Sequence, residues 1–199
     1  RMSTNPLYIE LFIATGPNST TYTKIYSDES KQIWIKPRSA ATKGKLQVAK
    51  KRDETTSQWS TPYNDEIGKF YIDLNQENNL TKGQIQVAKK MGTDGNPWTT
   101  PYNDEIGKFY IEFTSPVNVD IYISKEKDNY PNNPKLIGIN LTRVFCKIYV
   151  PKLPPEPCPD GQIWDVILGR CVPVSTESGP IEPCPPGFHK DASGHCVPI

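Results

Sequence analysis

A chain of 199 residues with 36% hydrophobic and 23% charged side chains is long enough for one sizeable core with small appendages, and too short for a large multidomain machine. Its net charge of +1 supplies no overall field toward nucleic acid or an anionic membrane surface. The longest apolar runs, such as Leu11 to Ala14 and Val166 to Leu168, fall far short of the roughly 20 residues that span a bilayer, so no membrane insertion and no nucleic-acid partner are expected.

Leu7, Ile9, Leu11 and Ile13 alternate with Tyr8, Glu10, Phe12 and Ala14, a period of two that predicts a strand with one buried face. Further strands are predicted at Thr20–Ser27, Lys31–Lys36, Lys45–Lys51, Lys69–Leu74, Gln84–Lys90 and Lys108–Phe113. Val117, Val119, Ile121 and Ile123 carry the apolar phase of the next strand, and Lys135–Leu141 and Arg143–Val150 complete the series. Helical spacing never persists beyond two turns. An all-β fold follows: an antiparallel β-sandwich or jelly-roll-like body over residues 1–150, with a Pro-rich, disulfide-stapled C-terminal extension.

Residues 42–72 align without a gap on residues 81–111, with 21 of 31 positions identical at an offset of 39. Both copies read Thr-Lys-Gly, then Gln-Val-Ala-Lys-Lys, a variable seven-residue loop, and Trp-x-Thr-Pro-Tyr-Asn-Asp-Glu-Ile-Gly-Lys-Phe-Tyr-Ile. The unit is expected to be strand, loop, strand, with Phe70 and Ile72 (Phe109 and Ile111) inward and Lys69 and Tyr71 (Lys108 and Tyr110) outward. Polar positions agree as well: Lys50 with Lys89, Asn64 with Asn103, Asp65 with Asp104, Glu66 with Glu105. One reading is an undiverged duplication whose Thr-Pro-Tyr-Asn-Asp-Glu-Ile-Gly forms a tight turn with Asx bonding and a glycine at positive φ. The other is a binding surface, in which loops present Trp59, Tyr63, Asn64 and Asp65, and again Trp98, Tyr102, Asn103 and Asp104, to a sugar ring or a protein partner. Calcium held by the Asp and Glu of these loops is the weaker alternative, because Ca²⁺ wants six or more oxygens.

The composition changes at Pro151. Residues 151–199 hold 11 of the 20 prolines and four of the five cysteines. Residues 151–157 form a Pro-rich spacer, followed by a first Cys module at 158–173, a linker at 174–183 and a second Cys module at 184–199. The modules share Cys, Pro, Gly, Asp, Gly, Cys, Val and Pro in order, so disulfides are expected from Cys158 to Cys171 and from Cys184 to Cys196, in an oxidising compartment. A zinc site from Cys184, His189, His195 and Cys196 is disfavoured because the sister module lacks both histidines. Cys146 shares the phase of Val144 and Ile148 and is expected as a buried free thiol.

Residues 1–150 contain no histidine, and their only thiol sits in mid-strand; Gly-rich phosphate loops and nucleophile elbows are absent. A glycosidase pair of Glu66 with Glu105 would require the two loops to converge. We therefore expect a non-enzyme with no catalytic residues, no cofactor and no metal. The expected role is structural: a component of an extracellular assembly, such as a virion decoration, tail or fibre protein or a surface filament subunit, whose partner is itself or a shell or filament protein. The alternative is an extracellular carbohydrate-binding module that recognises glycans through the repeated Trp, Tyr, Asn and Asp residues.

Overall fold

The computed structural model describes residues 2–3, 7–16, 21–39, 42–52, 58–77, 80–90, 97–125, 135–151, 156–174, 187–190, 192 and 196–198. Among them the chain is all-β, and its strands pair antiparallel. In chain order these are β1 (Met2–Ser3), β2 (Leu7–Ala14), β3 (Thr23–Ser30), β4 (Gln32–Pro37), β5 (Lys43–Ala49), β6 (Ser60–Glu66), β7 (Lys69–Glu77) and β8 (Leu80–Ala88), then β9 (Thr99–Glu105), β10 (Lys108–Ser124), β11 (Lys135–Tyr149), β12 (Gln162–Asp165), β13 (Arg170–Pro173), β14 (Phe188–Lys190) and β15 (Cys196–Pro198). No helix among the described residues is long and apolar enough to cross a membrane.

Two long strands replace four predicted ones. Lys108–Phe113 and Val117–Ser124 run on as β10, and the predicted pair 135–141 and 143–150 run on as β11. Register shifts between Glu112 and Val119 absorb Pro116, which has no N–H for the ladder. Opposite them Asn140 takes a left-handed φ of 56° and its N–H donates to Asn118 Oδ1 at 3.0 Å. The first half of β10 pairs with β5 and the second half with β4, while β11 follows it along the other edge. The sheet therefore has two arms. One runs β6-β5-β10-β11-β2-β3 and the other β9-β8-β7-β4-β10. Inward side chains of both arms, among them Leu11, Leu46, Phe109 and Val144 from the first and Ile33, Phe70, Ile85 and Ile121 from the second, form one buried cluster.

The tandem repeat closes on itself. β7 of the first copy pairs with β8 of the second, Lys69 opposite Ala88 and Ile72 opposite Ile85. β10 of the second copy returns to β5 of the first, Lys108 opposite Ala49 and Ile111 opposite Leu46. Each of these registers is the other displaced by 39 residues, so the copies are exchanged about a pseudo-two-fold axis. At the crossings Gly68 N donates to Ala88 O at 2.7 Å and Gly107 N to Ala49 O at 2.9 Å. The glycine that ends the motif does not take the positive φ that the turn chemistry led us to expect: among the described residues, neither Gly68 nor Gly107 does. At Gly107 a Cβ would lie 2.4 Å from the Arg52 nitrogen and 2.7 Å from the Lys51 carbonyl carbon, so glycine is required by the approach of two backbones.

In the tail, the disulfide from Cys158 to Cys171 is present, with Cα atoms 5.7 Å apart, and it ties the β12–β13 hairpin. Gly161 and Gly169 take positive φ there, and Asp165 Oδ1 accepts from the N–H groups of Ile167 and Leu168 at 2.9 and 2.8 Å. The pairing of Cys184 with Cys196, the 174–183 linker and most of the 151–157 spacer lie outside the described residues. Cys146 is free and fully buried in the body, as expected. The β14–β15 hairpin lies against β11 and β3, and it inserts Phe188, 5% exposed, into the core of the body. The sequence offered no reason to expect that anchoring, because Phe188 aligns with the polar Gln162 of the sister module.

Candidate functional site

Six of the eight residues singled out in the repeat lie on edge strands, β6 (Ser60–Glu66) and β9 (Thr99–Glu105), and Trp59 and Trp98 stand immediately before them. Leu46 pairs with Tyr63 and Val48 with Ser60, so three steps along β6 match two along β5; β9 does the same against β8. This bulge falls at the repeated Thr-Pro, where proline breaks the ladder. One inserted residue reverses the alternation, so Tyr63 and Tyr102 pack against the core while the tryptophans before each strand turn to the outer face.

Each tyrosine is committed locally. The Tyr63 hydroxyl donates to Glu66 O at 2.5 Å, and that of Tyr102 donates to Glu105 O. Burial, followed by the charges of Asp104 and Glu105, pushes the Tyr102 hydroxyl up to about 12. The aspartates serve the pseudo-two-fold. Lys89 Nζ lies 2.6 Å from Asp65 and Lys50 Nζ 2.8 Å from Asp104, so each copy lends a lysine to the other's aspartate. The lysine hydrogen bonds, with those from the Glu66 and Glu105 N–H groups, hold both carboxyls below their ordinary range. Asn64 and Asn103 are exposed opposite Lys45 and Gln84. Glu105 meets Lys51 at 3.2 Å, whereas Glu66 is exposed. The identical lysines and aspartates thus have an architectural use that an undiverged duplication would not by itself require.

The outer faces carry what the loops do not. In the first arm the registers place Phe12, Phe145, Tyr110 and Gln47 in one row across β2, β11, β10 and β5. Phe145 is the hub: its ring centroid is 5.9 Å from Phe12, 5.7 Å from Tyr22 and 6.1 Å from Trp59. With Glu112 and Lys147 these rings line a hollow of about 520 Å³, and Trp59 at its wall is 38% exposed. Lys108 Nζ stands 4.9 Å above Trp59, and Lys147 Nζ 5.6 Å above Phe12 and 5.9 Å above Phe145. The Tyr110 hydroxyl donates to Glu112 Oε2 at 2.7 Å.

The second arm repeats this construction. Tyr122, Trp34, Tyr71 and Gln86 form the corresponding row across β10, β4, β7 and β8. Trp98 leans on Trp34 and Tyr71 with centroids 6.0 and 6.3 Å away. Lys69 Nζ stands 4.8 Å above Trp98, and Lys36 Nζ 5.9 Å above both Trp34 and Tyr122. The Tyr71 hydroxyl donates to Asp73 Oδ1 at 3.0 Å, as Tyr110 does to Glu112. Burial and the nearby Lys36 charge lower the Lys69 ammonium. Tyr71, Gln86, Trp98 and Lys69 match residues of the first trough at the 39-residue offset, but Trp34, Lys36 and Tyr122 lie outside the repeat. The three-dimensional likeness exceeds the sequence likeness.

Beyond the first trough, Glu10 and Tyr149 are nearly covered on the outer face. Burial would raise the Glu10 carboxyl, but the Tyr149 hydroxyl at 2.5 Å and Lys24 Nζ at 2.9 Å outweigh it and hold the carboxyl low. The turn of the first Cys module, Ile163 to Leu168, shares a hollow of about 470 Å³ with Tyr8, Glu10, Lys24 and Ser27. Burial pushes the Cys146 thiol well up, which removes it as a nucleophile. A signal for the troughs was present in the sequence: Phe12, Phe145, Trp34 and Tyr122 occupy the phase of their strands where polar residues are the rule. No protein-family model matches this chain, and no curated protein matches it.

Proposed function

We propose that this chain is a non-enzymatic structural and interaction protein of an extracellular assembly, either a component of a virus particle's exterior or a subunit of a surface filament. The observation that carries the reading is the pair of aromatic outer faces: two contiguous ring clusters on a small β-protein are surfaces built to be covered. In this reading the two arms are the layers of a sandwich, and the Pro-rich tail holds the Cys modules at one end of it. The Cys158–Cys171 disulfide supports an oxidising setting. Pro62 and Pro101 on the edge strands β6 and β9 blunt unwanted strand pairing, so association is directed to faces. Light scattering of the purified chain up to high micromolar concentration, with electron microscopy of the same sample, tests the reading. Ordered oligomers that dissolve on Phe145→Ala or Trp34→Ala are expected; a monomer that binds no shell, filament or glycan overturns it.

The second reading is extracellular glycan binding, favoured by a specific observation: the first hollow combines ring walls with Gln47, Glu112 and Lys147, the mixture of apolar body and few polar groups that orients a sugar. Its residues are those of the outer troughs. Trp59 and Trp98 are retained from the sequence-based set, whereas Tyr63, Asn64, Asp65, Tyr102, Asn103 and Asp104 are not part of it.

A further inference from the structure

The hollow on the first arm and the ring row on the second, the two troughs, share more than aromatic rings. Each has a cross-strand row ending in glutamine, a tryptophan leaning on it from the neighbouring bulged edge, and a Tyr hydroxyl capping a carboxylate two residues on. Each also has two lysines whose ammonium groups lie over ring faces. We propose that they are two equivalent binding sites for one ligand, an anionic oligosaccharide, so that a single chain is divalent; this rests on the glycan-binding reading above.

The lysines decide the charge of the ligand. A sugar that lays its C–H face on Trp59 or Trp98 meets the ammonium group of Lys108 or Lys69 at 4.9 or 4.8 Å from the ring centre, and that encounter is favourable when the incomer brings its own negative charge. Among the described residues Lys108 and Lys147 form no direct ion pair with a carboxylate, and Lys147 acts on Glu10 through its charge alone. The carboxylates of the troughs are already engaged: Glu112 by Tyr110, Asp73 by Tyr71 and Gln32. The rows suit a chain of rings in place of a single one, since four adjacent strands span roughly 14 Å. Single-stranded nucleic acid is the lesser fit, because the rings stand tilted at 47° to 71° to one another and offer no parallel platform for successive stacked bases.

The test is calorimetric titration of the intact chain with a galacturonate hexasaccharide, a sulfated heparin-type hexasaccharide, neutral cellohexaose and an oligothymidylate, with light scattering on the same samples. Two sites per chain are expected for one or both acidic saccharides; the galacturonate and sulfated arms tell which anion is preferred. Trp59→Ala should remove one site and Trp98→Ala the other, with the double variant silent. Lys147→Gln and Lys36→Gln should each weaken one site by about tenfold or more, the scale of a lost charge-assisted contact. If a variant loses folded fluorescence or cooperativity, the variant of the half-buried lysine of the same trough reads the same site. Acidic binding that ignores both tryptophans, a single site, or tighter binding of the oligothymidylate overturns the proposal. Equal Trp-dependent binding of the neutral saccharide overturns it while sparing the glycan reading; silence of all saccharides ends both and leaves the scattering to decide on assembly.

Discussion

The crossing from β9 to β10 brings two backbones into close approach, and Gly107→Ala probes it. The new methyl would sit 2.4 Å from the Arg52 nitrogen, 2.7 Å from the Lys51 carbonyl carbon and 2.8 Å from the Lys50 carbonyl oxygen. Contact between such atoms is comfortable at about 3.5 Å, so backbone must retreat by about 1 Å. No flexible side chain can absorb that movement. Retreat strains two hydrogen bonds, from Gly107 N to Ala49 O at 2.9 Å and from Ile148 N to Gly107 O at 3.0 Å, each worth about 1 kcal/mol net. Overpacking adds about 1–3 kcal/mol, for a total of about 3–5 kcal/mol. Gly161→Ala is the control. It has φ of +79° and nothing within 4 Å of the added methyl, so its cost is conformational, about 1–2 kcal/mol. Urea unfolding followed by tryptophan fluorescence, with m-values checked for constancy, measures Gly107→Ala in the transition of the body and Gly161→Ala in that of the hairpin, which Trp164 reports. A loss at Gly107 below about 1 kcal/mol, or one no larger than at Gly161, would refute the claim that the copies are interlocked by backbone contact.

Three further outcomes are expected. Glu10 is held below its ordinary value of 4.5, so its contribution to stability is present above that pH and is lost as pH falls through the folded value; Glu10→Gln should be less stable than the parent at pH 7, and the two urea midpoints should converge in acid. Charge reversal tests the exchange of copies: Lys89→Asp and Asp65→Lys should each lower Tm and together recover it, whereas Lys50→Asp with Asp65→Lys, a pair within one copy, should not. Intact-mass measurement under denaturing, non-reducing conditions should find two disulfides and one free thiol, with Cys146 alkylated only after unfolding; Cys158→Ser with Cys171→Ser should cost the hairpin about 3 kcal/mol and make residues 158–173 protease-sensitive, with the body's Tm little changed.

What could be read from the residues was local. Alternation along Leu7–Ala14 or Lys69–Leu74 reports which side chains are buried, because a strand's period of two is a property of its own backbone. Cysteine spacing in the first module and the apolar phase around Cys146 were legible for the same reason. The repeat was visible as identity, yet its meaning was not: whether two copies lie in series or close on each other depends on which edge β10 finds, a choice made by non-local pairing. A bulge at Thr-Pro then decided the faces, sending Tyr63 toward the core and Trp59 outward, and no periodicity count anticipates one inserted residue. Trp34, Lys36 and Tyr122 joined Trp98 in a trough only because β4 and β10 became neighbours of β7 and β4. Burial is written along the chain one residue at a time, but a surface is assembled from strands distant in sequence, and only their registers bring its side chains together.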